Sequence, residues 1–474
     1  MIILISSKIG RANLQGSLGK PEYSYYFLMQ EFLPALEALA TVISVKSREE
    51  IEALHARYCS QGETVVYINA GPPHQTLLDL PCPTIALFAW EFDSLPCMAW
   101  DDDPRNDWRH VFAHIQGAIA TSREAAELTR QAAHSGFPVI ALPAPIWDRY
   151  ANLGTLLGHE VALSPRSFPF AGTVIDSPIL GLSADGLVRK PVPVQEEIAA
   201  PEPTPTPPPP SVFSQAWQRS VELLKGWWQE VRTPAPAEPP QVQAAPLQDV
   251  AVNGVVYTTV LNPADGRKNW VDIITAFCWA FKDRGDATLI VKMTHHDLEF
   301  YRVVLMTLLS RLAPFSCRVV VLHGFLDDEQ YRDLIKASTY YVNASSGEGL
   351  CLPLMEFLSS GRPAIAPVHT AMTDYLSDEI AFPLRHAVEP TCWPHDPTGM
   401  LFTHRHRINW QSLMEAFRAS HRLALEKPND YRCMSGAAHC RMRDFASCQQ
   451  VIPSLKAFLT DVVDSARGKE ERRA

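Results

Sequence analysis

Residues 201–210, Pro-Glu-Pro-Thr-Pro-Thr-Pro-Pro-Pro-Pro, fit neither a helix interior nor a central strand. Each proline lacks a backbone donor and has its φ fixed. The segment is therefore read as an extended polyproline spacer with no core of its own. It sits in a wider stretch, 191–246, that holds 14 of the chain's 39 prolines. The stretch reads as part of an insertion between two larger halves of the 474 residues. A chain of this length is in any case too long for one core.

Both flanks alternate between strand-like and helix-like runs. On the first, residues 2–5, 64–68, 84–89, 118–122 and 138–143 are apolar and strand-like, while 26–39 and 123–133 have helical spacing, the latter with Ser122 as N-cap. The second flank, 250–385, repeats the alternation. Alternation of this kind predicts a parallel, doubly wound sheet on each side. The expected division is 1–159 for the first domain, 160–247 for a Pro-rich insertion, 248–430 for the second domain, and 431–474 for a terminal helix with a disordered charged tail over 468–474. Helices are expected over 408–425 and 451–463.

Inside the insertion, 211–232 carries Phe213, Trp217, Val221, Leu224, Trp228 and Val231 at three- and four-residue spacing. Two readings stand side by side. One is a tethered amphipathic helix that enters a membrane interface, where Trp is favoured. The other is a helix docked on its own protein or on a partner.

A net charge of −10 argues against wholesale nucleic-acid binding, which leaves a basic footprint. Ten cysteines form no Cys-x-x-Cys pair and no zinc-site spacing, so they read as reduced thiols of a cytoplasmic protein. Residues 1–8 read as a first buried strand rather than a signal peptide. No run reaches the roughly 20 apolar residues of a membrane span. The expected location is the cytoplasm, at the inner membrane face if helix 211–232 meets lipid.

The most chemically informative stretch is Ser345-Ser346-Gly347-Glu348-Gly349-Leu350-Cys351-Leu352-Pro353-Leu354-Met355-Glu356. It follows a strand-like run at 340–344 and leads into a short helix closed by Gly361 and Pro363. Pro353 suits the first helical position, where its missing N–H costs nothing. A helix N-terminus presents free N–H groups and a positive dipole end, which suits a phosphate. The carboxylates of Glu348 and Glu356, eight positions apart, suit hydroxyl-rich groups such as a sugar and a ribose. Together they describe a nucleotide-sugar pocket.

This stretch resembles the Glu-x7-Glu signature of the retaining GT-B glycosyltransferases, in particular family 4. Three further blocks carry the same resemblance: Ser360 to Ala366, Arg318 to Glu329, and Val260 to Asn269. It covers 250–385 well and the first 150 residues more loosely. The fold it implies is α/β and GT-B: two Rossmann-like domains of doubly wound parallel sheet facing a cleft, with the Pro-rich insertion between them. The activity implied is sugar transfer from a nucleotide-sugar to a saccharide or lipid-linked acceptor, with retention and without a metal or other cofactor. Two departures stand out. The family commonly has an Arg near Asn262, and it often has a second glycine where Cys351 stands.

In such a transfer, negative charge grows on the leaving diphosphate, and basic side chains meet it. Lys268 is the first candidate and Arg267 the second. The resemblance assigns Glu348 to the donor sugar and Glu356 to the ribose. Gly349, Leu350, Cys351 and Leu352 are expected to cradle the diphosphate or sugar, and Phe325 and Leu326 to border the base. Lys292, at the end of a strand, is a further candidate for the phosphate site. On the acceptor side, Trp90 and Glu91 follow a strand at its C-terminal end, where open α/β sheets bind ligands. Glu91 is read either as a weak base that orients the acceptor or as a capping acid. Trp90 is read as a sugar platform or a structural residue. Gly10, Gly16 and Gly19 lie in the loop after the first strand. Asp101-Asp102-Asp103 reads as an acidic turn rather than a metal site, and His295-His296-Asp297 cannot easily share one ion, because adjacent side chains in extended backbone point apart. His369 and Asp374 lie near the expected cleft with their roles open. A nucleotide-sugar epimerase and a non-catalytic scaffold on the same fold are the competing readings.

Overall fold

The computed structural model describes residues 1–8, 22–180, 247–295, 298–393, 396 and 399–471. Helix 211–232, the polyproline spacer and Gly10, Gly16 and Gly19 lie outside the described residues, as do His296 and Asp297.

The first sheet contains β1 (Ile2–Ser7), β2 (Thr41–Ser44), β3 (Val65–Ala70), β4 (Thr84–Phe88), β5 (Gly117–Ala120) and β6 (Val139–Ala141). Its order is β2-β1-β3-β4-β5-β6, and every pairing is parallel. β3 and β4 are buried along their whole length, as near-continuous apolar runs must be when helices cover both faces of a parallel sheet.

The second half begins with β7 (Arg166–Ala171) and β8 (Thr173–Asp176), and resumes with β9 (Leu247–Val252), β10 (Val255–Leu261), β11 (Ala287–Met293) and β12 (Arg318–His323). It continues through β13 (Tyr340–Val342), β14 (Ala364–Pro367) and β15 (Ala381–Leu384) to β16 (His386–Cys392) and β17 (Phe402–Ile408). The main sheet runs β15-β14-β13-β10-β11-β12-β8, parallel except for the edge strand β8. β7 pairs with β9, and β16 with β17, both antiparallel.

Several expectations about boundaries are corrected here. Residues 166–176, placed in the insertion from sequence, are strands of the second half. β8 is fixed there by Asp176, which accepts from Arg318 of β12 at 3.0 and 2.7 Å. The terminal part is three helices rather than two, Trp410–Glu426, Pro428–Ala446 and Cys448–Glu471. The last of these runs through part of the stretch expected to be a disordered tail. It returns to the first sheet, where Arg467 donates to Thr64 at 2.6 Å.

One apolar cluster joins the two halves. It includes Ile3 and Phe32 from the first, Leu354, Met355 and Tyr375 from the second, and Phe458 and Val462 from the last helix. Among the described residues no helix is long and apolar enough to cross a membrane.

Candidate active site in the cleft

In the second sheet the connections reverse direction between β10 and β13: β11 and β12 lie to one side, β14 and β15 to the other. Ligands of open α/β sheets bind at such a switch point, beyond the carboxyl ends of the strands. The loops leaving β10 and β13 are residues 262–269 and 343–351, the two segments that carry the candidate residues. They border a cavity of about 1250 Å³, whose opposite wall comes from the loop after β4.

The 343–351 turn is organised by a residue that the sequence reading overlooked. The Asn343 Oδ1 accepts from the Ser345 N–H at 2.6 Å, and its amide contacts Glu348 Oε1 at 3.2 Å and Cys351 Sγ at 3.0 Å. Cys351 takes a left-handed conformation, φ 67°, at the N-cap of helix Leu352–Ser359. A glycine would do so without strain, and a side chain there costs about 1 kcal/mol. Pro353 is the second helical residue, one place later than expected. The Leu350 carbonyl accepts from the Tyr375 hydroxyl at 2.9 Å.

The two cationic candidates meet this turn. Lys268 Nζ lies 2.6 Å from Glu348 Oε1, and Arg267 Nη1 lies 3.1 Å from Oε2. Arg267 also donates to the Gly347 carbonyl and pairs with Asp265 at 2.9 Å and Glu91 at 3.5 Å. The backbone locks the two loops together, since the Ser346 N–H donates to the Arg267 carbonyl at 2.9 Å. Burial alone would raise the Glu348 carboxyl, but Lys268 and Arg267 outweigh it and hold the group down at about 2. Desolvation likewise opposes the charge on Arg267, and Glu91, Glu348 and Asp265 more than offset it.

Gly347 and Gly349 bring the turn against the first half. A Cβ on Gly347 would sit 2.9 Å from the Glu91 carbonyl, and one on Gly349 would sit 2.7 Å from the Trp90 nitrogen. The Gly349 carbonyl also accepts from Thr121 at 2.7 Å. The bare backbone at 349 therefore serves a contact between halves. Gly349→Ala is expected to cost about 1–3 kcal/mol, because the opposing atoms are backbone and cannot rotate away; a melting temperature equal to wild type would contradict this.

Glu356 borders the cavity from one turn inside the helix. Its carboxylate accepts from Tyr331, and burial pushes its pKa up to about 7 despite hydrogen bonds from Tyr331 and Tyr150. Arg149, also absent from the sequence reading, stands beside this group and links Glu31 of the first half to Asp328 of the second. Leu326 and Leu352 border the cavity. Phe325, expected to flank the base, packs against the central apolar cluster instead. Lys292 lies inside β11, which extends to Met293. It is 4% exposed, donates to the Met293 carbonyl at 3.1 Å, and burial lowers its pKa to about 7. This buried position replaces the solvated strand-end lysine that the sequence alone allows.

Trp90 is buried in an aromatic cluster with Phe92, Trp108 and Trp393, and its ring N–H donates to Ser94. That is the structural alternative of the two weighed from sequence. Asp103 caps the following turn and pairs with Arg105 at 2.7 Å. Asp374 pairs with Arg123 of the first half at 2.8 Å. His369 is buried behind the turn, its Nε2 3.0 Å from the Ser345 carbonyl.

The hairpin β16–β17 closes one flank of the cleft, and no sequence signal was assigned to it. Asp93, two residues after Glu91, accepts from the Thr403 hydroxyl, the His404 N–H and the His404 ring at 2.7–2.9 Å. The His406 N–H donates to the Ser346 carbonyl at 2.9 Å. The hairpin thus touches the loop after β4 and the Glu348 turn at once.

Two doubly wound parallel sheets whose strand-end loops meet across one cleft make this an α/β chain of the GT-B class. No family model matches the sequence, and no curated protein matches it. Solved structures do. The Anabaena protein HepE, in a complex with UDP and glucose, is similar at 10% identity over 97% of this chain and 99% of that one, with a TM-score of 0.48. A glycosyltransferase from Rickettsia africae is similar at 9% identity over 97% and 98%, TM-score 0.49. The pneumococcal O-GlcNAc transferase GtfA is similar at 11% identity, with 87% of this chain and 60% of that chain covered, TM-score 0.43.

Proposed function

We infer that this protein is a glycosyltransferase that moves a sugar from a nucleotide-sugar to a hydroxyl of a saccharide or lipid-linked glycan, with retention and without a metal. The observation that carries the reading is the convergence of Lys268 and Arg267 on Glu348 at the switch point of the second sheet. On this reading the departing diphosphate takes over the two cations, whose fixed positions stabilise its growing charge without reorganisation. Glu348, released from them, accepts from hydroxyls of the donor sugar. Glu356 accepts from the ribose, and Leu326 borders the base. The N–H groups at Gly349, Leu350 and Cys351 and the helix start at Leu352 face the diphosphate, and Lys292, whose burial holds its pKa at about 7, gains its full charge only when the diphosphate sits beside it. Glu91 orients the acceptor hydroxyl from the opposite wall. The chain would work in the cytoplasm, with segment 211–232 as its contact to the inner membrane face or a partner.

One observation favours a non-catalytic scaffold as the second reading. Three carboxylates, Glu348, Glu91 and Asp265, already surround Arg267 and Lys268. Incubation with a panel of UDP-, GDP-, ADP- and CDP-sugars separates the two. A transferase binds one of them and slowly releases nucleotide, and Lys268→Ala weakens that binding about tenfold or more. A scaffold binds without release. No binding by any of the panel, or binding that Lys268→Ala leaves intact, refutes the transferase reading.

A further inference from the structure

The cavity has a second basic wall that plays no part in the proposed handling of the donor. On the β16–β17 hairpin, Glu389 and Arg405 are cross-strand partners, and Arg407 lies two residues along the same strand, so all three project from one face. All three border the cavity. One carboxylate serves both guanidiniums there: Arg405 lies 2.6 Å from Glu389, and Arg407 lies 3.9 Å from it. This face therefore carries an excess positive charge, in a chain whose net charge is −10. The face is also held in place. Asp93 fixes the hairpin from the first half, and Ser346 fixes it from the second. By contrast Lys268 and Arg267 are matched by carboxylates. The excess charge of the hairpin is thus available to a ligand.

The position of the hairpin says which ligand. Its attachment point, Asp93, is two residues from Glu91 on the acceptor wall, and the donor turn meets the same strand two residues further on, at His406, so Arg405 stands between the two. We propose that Arg405 and Arg407 form an oxyanion subsite for the acceptor, so that the sugar receiving the glycosyl group carries a phosphate or a carboxylate. Glu389 occupies the subsite when it is empty and yields its guanidiniums to the incoming anion. The identification of that anion with an acceptor rests on the transferase reading above; the subsite itself does not. Paired guanidiniums suit either oxyanion, because their planar donors match two oxygens at once.

Glucose 6-phosphate, glucuronate and glucose differ only at C6 and separate the possibilities. Titrated calorimetrically into the full chain, at least one of the two anions should bind about tenfold or more tightly than glucose, with an advantage that shrinks at high salt. Preference for the phosphate or for the carboxylate identifies the oxyanion, and either supports the proposal. The double variant Arg405→Gln, Arg407→Gln should erase the preference while leaving nucleotide binding and melting temperature as in wild type. Glu389→Gln should act in the opposite direction and tighten anion binding, because the competing carboxylate is gone. Equal binding of all three hexoses, an undiminished preference in the double variant, or no tightening in Glu389→Gln would each overturn the subsite. Lys268→Ala tests the other reading separately, since it should weaken nucleotide binding about tenfold or more and spare the preference for charged hexoses.

Discussion

Glu348→Ala is expected to lower the unfolding free energy by about 1–3 kcal/mol, the usual consequence of removing a buried acceptor from charged donors. The carboxylate is 3% exposed and is shared by Lys268, Arg267 and Asn343. Its loss leaves Lys268 and Arg267 side by side, both half-buried; Arg267 keeps Asp265 and Glu91, but Lys268 loses the carboxylate it pairs with. Glu348→Gln should cost less, because the amide oxygen still accepts from one cation. The double variant Glu348→Ala, Lys268→Met should recover part of the loss, which a double-mutant cycle measures directly. The same carboxyl gives a pH signature. Its folded-state pKa is lowered from 4.5 to about 2, so its contribution is present above pH 4.5 and fades as the pH falls toward 2. A melting temperature unchanged in Glu348→Ala would show that the cluster contributes nothing to stability.

The second large effect is acid sensitivity centred on His369. This ring is 2% exposed and stacks on His406 at 4.2 Å, with His386 edge-on at 4.9 Å. Burial and the neighbouring His406 and His386 rings depress its pKa from 6.5 to about 3, while Glu348 pulls weakly the other way. The ring is neutral when folded and gains a proton more readily when unfolded. Its contribution is therefore full above pH 6.5 and declines as the pH falls from 6.5 toward 3. By pH 5 the loss should be about 2 kcal/mol. His369→Gln keeps a donor for the Ser345 carbonyl but cannot titrate, so its melting temperature should fall less between neutral pH and pH 5 than that of wild type. Parallel pH profiles for the two proteins would rule His369 out as the cause. His406, whose pKa burial also lowers, stacks on this ring from the hairpin, so acid should loosen that contact first.

The sheets and the Glu348 turn were legible in the sequence because their signals are local. β1, β3, β10 and β11 are short apolar runs bounded by polar turns, and the turn with its helix occupies consecutive residues. Contacts across the cleft were not legible. The fit of Gly349 against Trp90 and the reach of Arg149 to Asp328 join residues far apart in sequence, and their spacing carries no period. The hairpin escaped for a different reason. Strands are recognised by one apolar face, but β16 and β17 put Glu389, Arg405 and Arg407 toward the cavity and set His386 and His406 against His369. With polar groups on both sides, no alternation remains to be read. β8 was hidden by its brevity and by the proline-rich stretch beginning soon after it.

The apolar cluster that runs from Ile3 and Phe32 through Leu354 and Met355 to Val462 has a mechanical consequence. Swinging the lobes apart as rigid bodies would wet this seam, at a cost that grows with every square ångström of oily surface uncovered. The frame is therefore stiff at its waist, and the entry of any ligand falls to the rim, where polar latches such as Asp93 with His404 can break and re-form in water.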